Sequence, residues 1–271
     1  MLQKTILIRG AGEIASGIAH RLWRAGFQRI VMTEIESPVA VRRRVSFSEA
    51  VFDGNACVEN VQATLANVPQ DIHEIWSKRR IALLVDPDCL FISAIRPQVI
   101  VDAILAKKNL GTTMALADFV IGLGPGFFAG NDCHCLIETN RGHNLGRLIT
   151  HGPTSGNTGV PGSIMGQTHN RVLRAQSEGV LETWRHIGDF VEIHSPVALV
   201  SGKPVYAQIS GFLRGILRSG SYVRTFLKIA DIDPRMERDN CFTISDKARS
   251  LGGSVLEAIL AQSHGTLFNR S

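Results

Sequence analysis

The chain has few aromatic residues, few cysteines and no long apolar run. Aromatic side chains make up 6% of its 271 residues, and two of them are tyrosines. No apolar stretch reaches the roughly 18 residues that a membrane-spanning helix needs, so we expect no membrane association. The N-terminus also has no basic segment followed by an apolar core, the pattern of a secretory signal. These absences predict a cytoplasmic globular protein.

Positive charge is in modest excess, with a formal net charge of +5. Arg42, Arg43 and Arg44 form a short basic run, which no aromatic stacking motif accompanies. A run of three is too short for a nucleic-acid footprint, so we expect no nucleic-acid partner. A small anionic ligand bound by Arg42 and Arg43 explains the excess more simply, and a solvated loop is the alternative.

The five cysteines are scattered and odd in number, which argues against a disulfide framework. The one close group is Cys133-His134-Cys135. Its two thiols could chelate a soft metal, but no second ligand pair is evident. The sequence therefore predicts no metal site.

A glycine-rich turn follows the first apolar segment. Residues 5–9 predict a strand, and Gly10, Gly12 and Ala15 then match the pattern G-x-G-x-x-G/A at the start of an amphipathic helix. A second apolar run ends at Glu34, about 22 residues after Gly12. This order is typical of a dinucleotide-binding turn, in which phosphates lie at the helix N-terminus beside Glu13 and the acid accepts from a ribose hydroxyl. The alternative is a structural turn without a ligand.

The first part of the chain alternates strand and helix patterns, which predicts an α/β fold with a Rossmann-like, doubly wound parallel sheet. The predicted strands are 5–9, 29–33, 81–85, 98–102 and 118–122, and the predicted helices are 13–25, 70–78 and 102–108. We assign 1–166 to this nucleotide- or anion-binding domain, including a glycine-rich loop segment. Residues 167–271 are assigned to a smaller β-rich module with a C-terminal helix that Ser245 caps.

Residues 122–166 are rich in glycine and in polar side chains. Gly124 and Gly126 follow the last predicted strand and could present backbone amides to an anion. We expect this segment to close over the pocket of the first domain, with Asn140 and Arg141 contacting an anion. Its titratable groups are the candidate catalytic residues, namely His134, Glu138 and His143. A plain connector between domains is the alternative.

An internal repeat spans residues 172–230. Four pairs recur at an offset of 32 residues, namely Ala175 and Ala207, Gly179 and Gly211, Gly188 and Gly220, and Val191 and Val223. Two similar β units about a pseudo-twofold axis would explain this spacing. The pattern is typical of a barrel-sandwich hybrid, the fold of biotinyl and lipoyl carriers. The carriers' modified lysine is missing, since Ile209-Ser210-Gly211 occupies its place.

Several longer motifs resemble the YqeB-type accessory proteins of selenium-dependent molybdenum hydroxylase systems. They are RGAGEIASGIAHRL at 9–22, MTEIESPVAVRR at 32–43, FSEAVFDG at 47–54, GPGF at 124–127, ETNRGHNLGR at 138–147, NTGVPG at 157–162 and TISDKAR at 243–249. The N-terminal part is also similar to XdhC-like maturation factors. The resemblance covers almost the whole chain.

The resemblance implies maturation of a molybdenum hydroxylase, with the apo-hydroxylase as partner and a nucleotide-like molecule or molybdenum cofactor as ligand. It brings no established catalytic residues, so whether the protein is an enzyme stays open. An NAD(P)-dependent oxidoreductase is one alternative, although no dehydrogenase signature accompanies the turn. A scaffold with an empty glycine turn is another. The oligomeric state, a homo-oligomer included, also stays open.

Overall fold

A computed structural model describes residues 2–267 of the chain. The chain divides into two units. Unit 1 comprises Met1–Pro38, Ser46–Asn157 and Ile244–Ser271. Unit 2 comprises Val39–Val45 and Thr158–Thr243. In broad terms the protein is mixed α/β, with a large, mostly parallel sheet in unit 1 and antiparallel sheets in unit 2.

Within the described residues, unit 1 contains eleven strands. They are β1 (Ile6–Arg9), β2 (Ile30–Glu34), β3 (Asn55–Val58), β4 (Val61–Ala66), β5 (Ile81–Val85), β6 (Val99–Asp102), β7 (Phe119–Leu123), β8 (Phe128–Ala129), β9 (Cys135–Ile137), β10 (Leu148–Ile149) and β11 (Gly152–Pro153). Nine of them form one sheet in the order β10-β9-β7-β6-β1-β2-β5-β4-β3. The pairs β3–β4 and β9–β10 are antiparallel, and the other pairs are parallel.

The central strands are buried on both faces, which is why they read as continuous apolar runs. Every residue of β1, β6 and β7 is buried. The five predicted strands are confirmed to within one residue at each end. The order reverses at β1, which pairs with β2 on one side and with β6 on the other. Such a reversal opens a crevice at the carboxyl ends of the strands.

The described residues contain five α-helices, none long and apolar enough to cross a membrane. They are α1 (Glu13–Arg24), α2 (Ala50–Asp53), α3 (Ile72–Ser77), α4 (Ile92–Ile95) and α5 (Asp246–Ser263). Helix α5 begins as predicted, with the Ser245 hydroxyl accepting from the Ala248 amide. The expected helices at 13–25 and 70–78 correspond to α1 and α3.

The prediction of a helix at 102–108 is wrong. Residues 103–108 form a loop, in which Leu105 and Lys107 have φ angles of 59° and 63°. These left-handed conformations cannot continue a right-handed helix. The Asp102 carboxylate also accepts from the Ile104 amide, which turns the chain directly after β6.

The structure divides the chain differently from the boundary expected between residues 166 and 167. Helix α5 belongs to unit 1, because it packs on α1 where a Cβ at Gly17 would lie 2.7 Å from the Ala248 Cβ. Residues 39–45 belong to unit 2, because Val41 lies directly against Gly215 and Arg43 donates to the Ile216 carbonyl. Local sequence patterns do not reveal either of these long-range contacts.

Unit 2 is built from eight strands among its described residues. They are β12 (Val172–Arg174), β13 (Gly179–Glu182), β14 (Phe190–Val191), β15 (Pro196–Val200), β16 (Lys203–Tyr206), β17 (Gly211–Ile216), β18 (Tyr222–Val223) and β19 (Lys228–Asp233). They form two four-stranded sheets, β12-β19-β17-β14 and β16-β15-β13-β18. Strands β12 to β15 correspond in order to β16 to β19, about 32 residues later in the chain. Replacing each strand by its counterpart converts the order of one sheet into the order of the other.

Backbone hydrogen bonds repeat the same relation. The Ala175 amide donates to the Leu227 carbonyl, and the equivalent Ala207 amide donates to the Ser195 carbonyl, both at 2.9–3.0 Å. The Gly188 amide donates to Leu213, and its counterpart Gly220 donates to Leu181. The twofold similarity predicted from the 32-residue offset is therefore present in the pairing itself.

Candidate functional site

The glycine turn lies where β1 ends and α1 begins, at the carboxyl edge of the large sheet. Gly10 has a φ of +92°, and a Cβ there would lie 3.2 Å from the Ala103 carbonyl oxygen. Only glycine suits this left-handed, crowded position. At Gly12, by contrast, an added Cβ would meet nothing within 4 Å. A side chain added at Gly12 would therefore point into open space beside the start of α1.

The capping residue of α1 is a glycine, which has no side chain to bond the amides of the first turn. Gly12 is the capping residue, and the Ser16 amide donates to its carbonyl at 2.8 Å as the helix begins. Uncapped amides and the helix dipole make such an end attractive to anions. Ala15 is buried, as close helix–strand packing requires, whereas Glu13 is partly exposed in the first turn.

Glu34 ends β2 beside this turn, as the sequence predicts. One carboxylate oxygen accepts from the Ala11 amide and the other from the Ile35 amide, each at 2.9 Å. Burial raises the pKa of Glu34 above its ordinary value, while these two hydrogen bonds act in the opposite direction. Glu34 thus holds the shape of the turn. Each oxygen keeps a second lone pair with which to accept from a ligand hydroxyl.

A buried ion pair lies beneath the turn, and the sequence reasoning missed it. The Arg9 guanidinium donates to Asp102 at 3.3 Å, to the hydroxyl of Thr112, and to the carbonyls of Pro87 and Leu110. Arg9 and Asp102 are 3% and 2% exposed. They tie the ends of β1 and β6 to the loops that follow β5 and β6. The signal in the sequence was a charged residue ending each of two apolar strands.

Gly124 and Gly126 serve packing within unit 1. Their φ angles are +74° and +112°. A Cβ at Gly124 would lie 2.6 Å from the Thr139 hydroxyl, and one at Gly126 would lie 2.6 Å from the Lys108 Cα. The two positions are therefore filled by neighbouring protein atoms and offer no approach for a ligand at their Cα atoms.

Glu138 organises the glycine-rich segment. It is 3% exposed, and its carboxylate accepts from the amides of Asn140 and Ser155 at 2.7 Å each. Burial acts to raise the pKa of Glu138, but hydrogen bonds from Asn140, Ser155 and Thr139 outweigh it and lower that pKa. Glu138 is thus an ionised structural anchor. The backbone amide of Asn140 already donates to the Glu138 carboxylate.

Arg141 makes a two-point ion pair with Asp246 at the first residue of α5, with distances of 2.6 and 2.8 Å. The neighbouring Lys247 has a lowered pKa because it is largely buried and because Arg141 repels its charge. Glu13, Glu138 and Asp246 act on it in the opposite direction. The pKa of Lys247 therefore depends on charged groups both in the first turn of α1 and in the glycine-rich segment. The sequence reasoning did not select Lys247, because it appeared only as a helix residue.

The candidate acid–base residues differ in their surroundings. The Nδ1 atom of His134 accepts from the Val120 amide at 3.0 Å, and burial lowers its pKa, so the ring is a neutral part of the sheet edge. His143 is exposed. Burial raises the pKa of the Cys133 thiol to about 12 and that of Cys135 to about 11. Protonated thiols are poor metal ligands, and no cluster of three potential ligands occurs among residues 2–267.

Arg42 and Arg43 lie in unit 2 and support its fold. Arg42 is 4% exposed and donates to the carbonyls of Asn240 and Thr243. Arg43 donates to the Ile216 carbonyl at 2.8 Å. These contacts tie residues 39–45 to unit 2, which is a structural role that a count of positive charge cannot reveal.

No protein-family model matches the chain. It is 46% identical over 259 residues to the uncharacterized protein YqeB of Escherichia coli strain K12. The match covers 96% of the chain and 48% of that relative, so the chain spans about half of the relative's length.

Two solved structures show weak similarity. One is an aspartoacylase family protein from Mesorhizobium loti, with 16% identity, a TM-score of 0.28 and 85% of each chain covered. The other is a succinylglutamate desuccinylase from Silicibacter sp. TM1040, with 12% identity, a TM-score of 0.24, and 85% of this chain and 84% of that chain covered. At such TM-scores neither similarity supports a conclusion about activity.

Proposed function

We propose that unit 1 binds a nucleotide-like ligand through its phosphates at the glycine turn. The observation that carries this is the glycine at the capping position of α1, with open space beside it, on the carboxyl edge of a mostly parallel sheet. Phosphate groups commonly bind at such a position, because backbone N–H groups and the helix dipole both favour negative charge. The reversal of strand order at β1 supports the same location and a Rossmann-like description of this unit.

Side chains around the turn support an anionic ligand that also carries hydroxyl groups. Lys247 provides a cation whose ammonium interacts with Glu13 in the first turn of α1. Glu34 provides a carboxylate beside the Ala11 amide. A carboxylate there would favour a free ribose hydroxyl over a 2′-phosphate. NAD(H) is therefore favoured over NADP(H) among the dinucleotides.

For the biological role, we propose maturation of a molybdenum hydroxylase in the cytoplasm, with the apo-hydroxylase as partner. The motifs at 9–22 and 138–147 support this through their resemblance to YqeB-type accessory proteins. The glycine turn fits the phosphate that molybdenum cofactor and nucleotides have in common. The twofold β unit supports a barrel-sandwich-like description of unit 2.

Substitution of Gly12 tests the ligand site without disturbing the fold. Gly12 has φ −70° and ψ −175°, which other residues adopt, and space for a side chain. Gly12→Asp would cap α1 and place a carboxylate where the phosphate would bind. We expect unchanged or increased stability together with at least a tenfold loss of affinity. Gly12→Ala is the matched control for added volume without charge.

The assay is isothermal titration of the parent and both variants with NAD(H), NADP(H), CTP and molybdopterin species. The proposal is supported if Gly12→Asp lowers the affinity for a ligand more than Gly12→Ala does. Tight binding that neither variant changes would place the ligand elsewhere. Oxidation or reduction of a bound nicotinamide would favour the oxidoreductase alternative. A complete lack of binding would favour the scaffold.

A further inference from the structure

A cavity of about 520 Å³ lies in unit 1 away from the glycine turn. Three elements form it: the second half of α1, the turn between β3 and β4, and the start of α5. Its polar lining residues are His20, Arg21, Arg24, Glu59, Asn60 and Arg249. The volume lies within the range of small-molecule sites. Its lining is unusually charged, which indicates a polar occupant.

The positive charge of this cavity exceeds what its own carboxylate can neutralise. Glu59 pairs with Arg249 at 2.6 Å and accepts from the Ile244 amide at 2.8 Å. Within residues 2–267, no hydrogen bond or ion pair engages the guanidinium groups of Arg21 and Arg24. Three arginines against one glutamate leave a formal charge of +2 in the lining. Arg21 and Arg24, three residues apart, project from neighbouring positions on α1.

His20 adds a titratable group to the same wall. Its side chain is 12% exposed, and its Nε2 atom lies 3.9 Å from a Glu59 carboxylate oxygen. Burial lowers the pKa of His20, Glu59 acts to raise it, and Arg249 and Arg24 act to lower it. The ring is therefore neutral at pH 7 when the cavity holds no anion. A bound anion would offset the arginine charges and favour the imidazolium.

We propose that this cavity is a second ligand site, which binds the phosphate group of a small phosphorylated metabolite. Arg21, Arg24 and Arg249 bind the phosphate oxygens, since planar guanidinium groups match phosphate in two-point hydrogen bonds. The +2 lining matches a phosphate dianion. The cavity is larger than a phosphate ion, so the rest of the metabolite lies beside Asn60 and Gly17. This site is independent of the ligand proposed at Gly12.

The test uses the 271-residue chain carrying Gly12→Asp, so that the glycine turn does not contribute to phosphate binding. The probes are ribose 5-phosphate, glycerol 3-phosphate, inorganic phosphate and succinate, titrated calorimetrically in phosphate-free buffer. We expect a phosphomonoester to bind more tightly than inorganic phosphate, and succinate to bind weakest. Arg21→Gln/Arg24→Gln should lower the affinity at least tenfold. Arg29→Gln, an exposed arginine outside the lining, is the matched control.

The pH dependence gives a second readout. Phosphate probes also gain a proton as pH falls from 8 to 6, so the readout is the difference between two proteins titrated with the same probe. Because binding favours the protonated His20, the Gly12→Asp parent should gain affinity relative to its His20→Asn variant as pH falls. It should also take up more protons on binding, measured in buffers of different ionisation enthalpy. The proposal is overturned if no phosphate-bearing probe binds at millimolar concentration. It is also overturned if the double variant, shown by its melting curve to be folded, binds as tightly as the Gly12→Asp parent.

Discussion

At the scale of single residues, buried carboxylates in unit 1 act mainly as structural anchors. Glu138 receives amide hydrogen bonds from both ends of the loop that it holds. Glu34 likewise accepts from the amides of Ala11 and Ile35, but burial outweighs these hydrogen bonds and raises its pKa. Amide hydrogen bonds favour the charged carboxylate, and at Glu138 they outweigh burial and lower its pKa. Such residues resemble catalytic acids in a sequence, and only their hydrogen-bond partners reveal the difference.

Replacing Glu138 with glutamine should destabilise the protein at neutral pH. The amide of glutamine can accept through one oxygen only, which leaves the backbone amide of Asn140 or Ser155 without its acceptor. Loss of a charged hydrogen bond predicts about 1.5–3 kcal/mol in the free energy of unfolding. Denaturant unfolding of Glu138→Gln and the parent at pH 7 measures this. Glu36→Gln, at an exposed glutamate, is the control and should change little.

The difference between Glu138→Gln and the parent should depend on pH. The folded pKa of Glu138 lies below its ordinary value of 4.5, so its ionised form stabilises the folded state above that pH. This contribution is lost as pH falls from 4.5 through the lower folded pKa. We therefore expect the two unfolding free energies to converge in acid. A difference that stays constant to pH 3 would contradict an ionised anchor.

At the scale of secondary structure, the contact between α1 and α5 depends on small residues. A Cβ at Gly17 would lie 2.7 Å from the Ala248 Cβ, and one at Gly252 would lie 2.9 Å from the Arg21 Cβ. The glycines that interrupt the apolar stripe of α5 look like weak points of a helix. Gly252 instead allows the two helices to approach each other closely.

The same substitution should have opposite effects at two glycines of these helices. Gly17→Ala improves helix propensity but forces the new methyl group into Ala248, so it should destabilise the fold by about 1–3 kcal/mol. Gly253→Ala adds its methyl group where nothing lies within 4 Å, and should stabilise by about 0.5–1 kcal/mol. Thermal unfolding of both variants measures the signs. Stabilisation by both would contradict the close helix contact.

At the scale of the whole molecule, each unit is assembled from segments that are distant in sequence. Unit 1 contains segments from both ends of the chain, and unit 2 contains residues 39–45 in addition to residues 158–243. Unit 2 also contains a repeat whose two copies contribute strands to both sheets. In β12-β19-β17-β14, for example, strands of the first copy lie at both edges. Neither copy therefore completes a sheet alone.

Deleting residues 244–271 distinguishes the two possible placements of the C-terminal helix. If α5 belongs to unit 1, its removal uncovers the face of α1 around Gly17 and Arg21. We then expect hydrogen exchange at the amides of α1 to accelerate, while β15, β17 and β19 keep their protection. Loss of protection in those unit 2 strands, with α1 unchanged, would favour the sequence-based boundary between residues 166 and 167.

Elements with local signals could be predicted from the amino-acid sequence. Fully buried parallel strands require continuous apolar runs, so β1, β2, β5, β6 and β7 were predictable to within a residue. The glycine turn was predictable because a positive φ at Gly10 needs glycine. The serine cap of α5 and the 32-residue repeat were predictable for the same reason, since each depends on residue types at short or constant spacing.

Tertiary structure decided which charges serve structure and which line possible sites. The sequence suggested Arg42 as an anion contact and Glu138 as a catalytic candidate, but they hold carbonyls and amides of their own units. Lys247 and the Arg21–Arg24 pair looked like ordinary helix surface, yet folding places them beside the first turn of α1 and in a cavity. The energy of a charged side chain depends on the partners within a few ångströms. Those partners come from distant segments, so only the folded chain shows them.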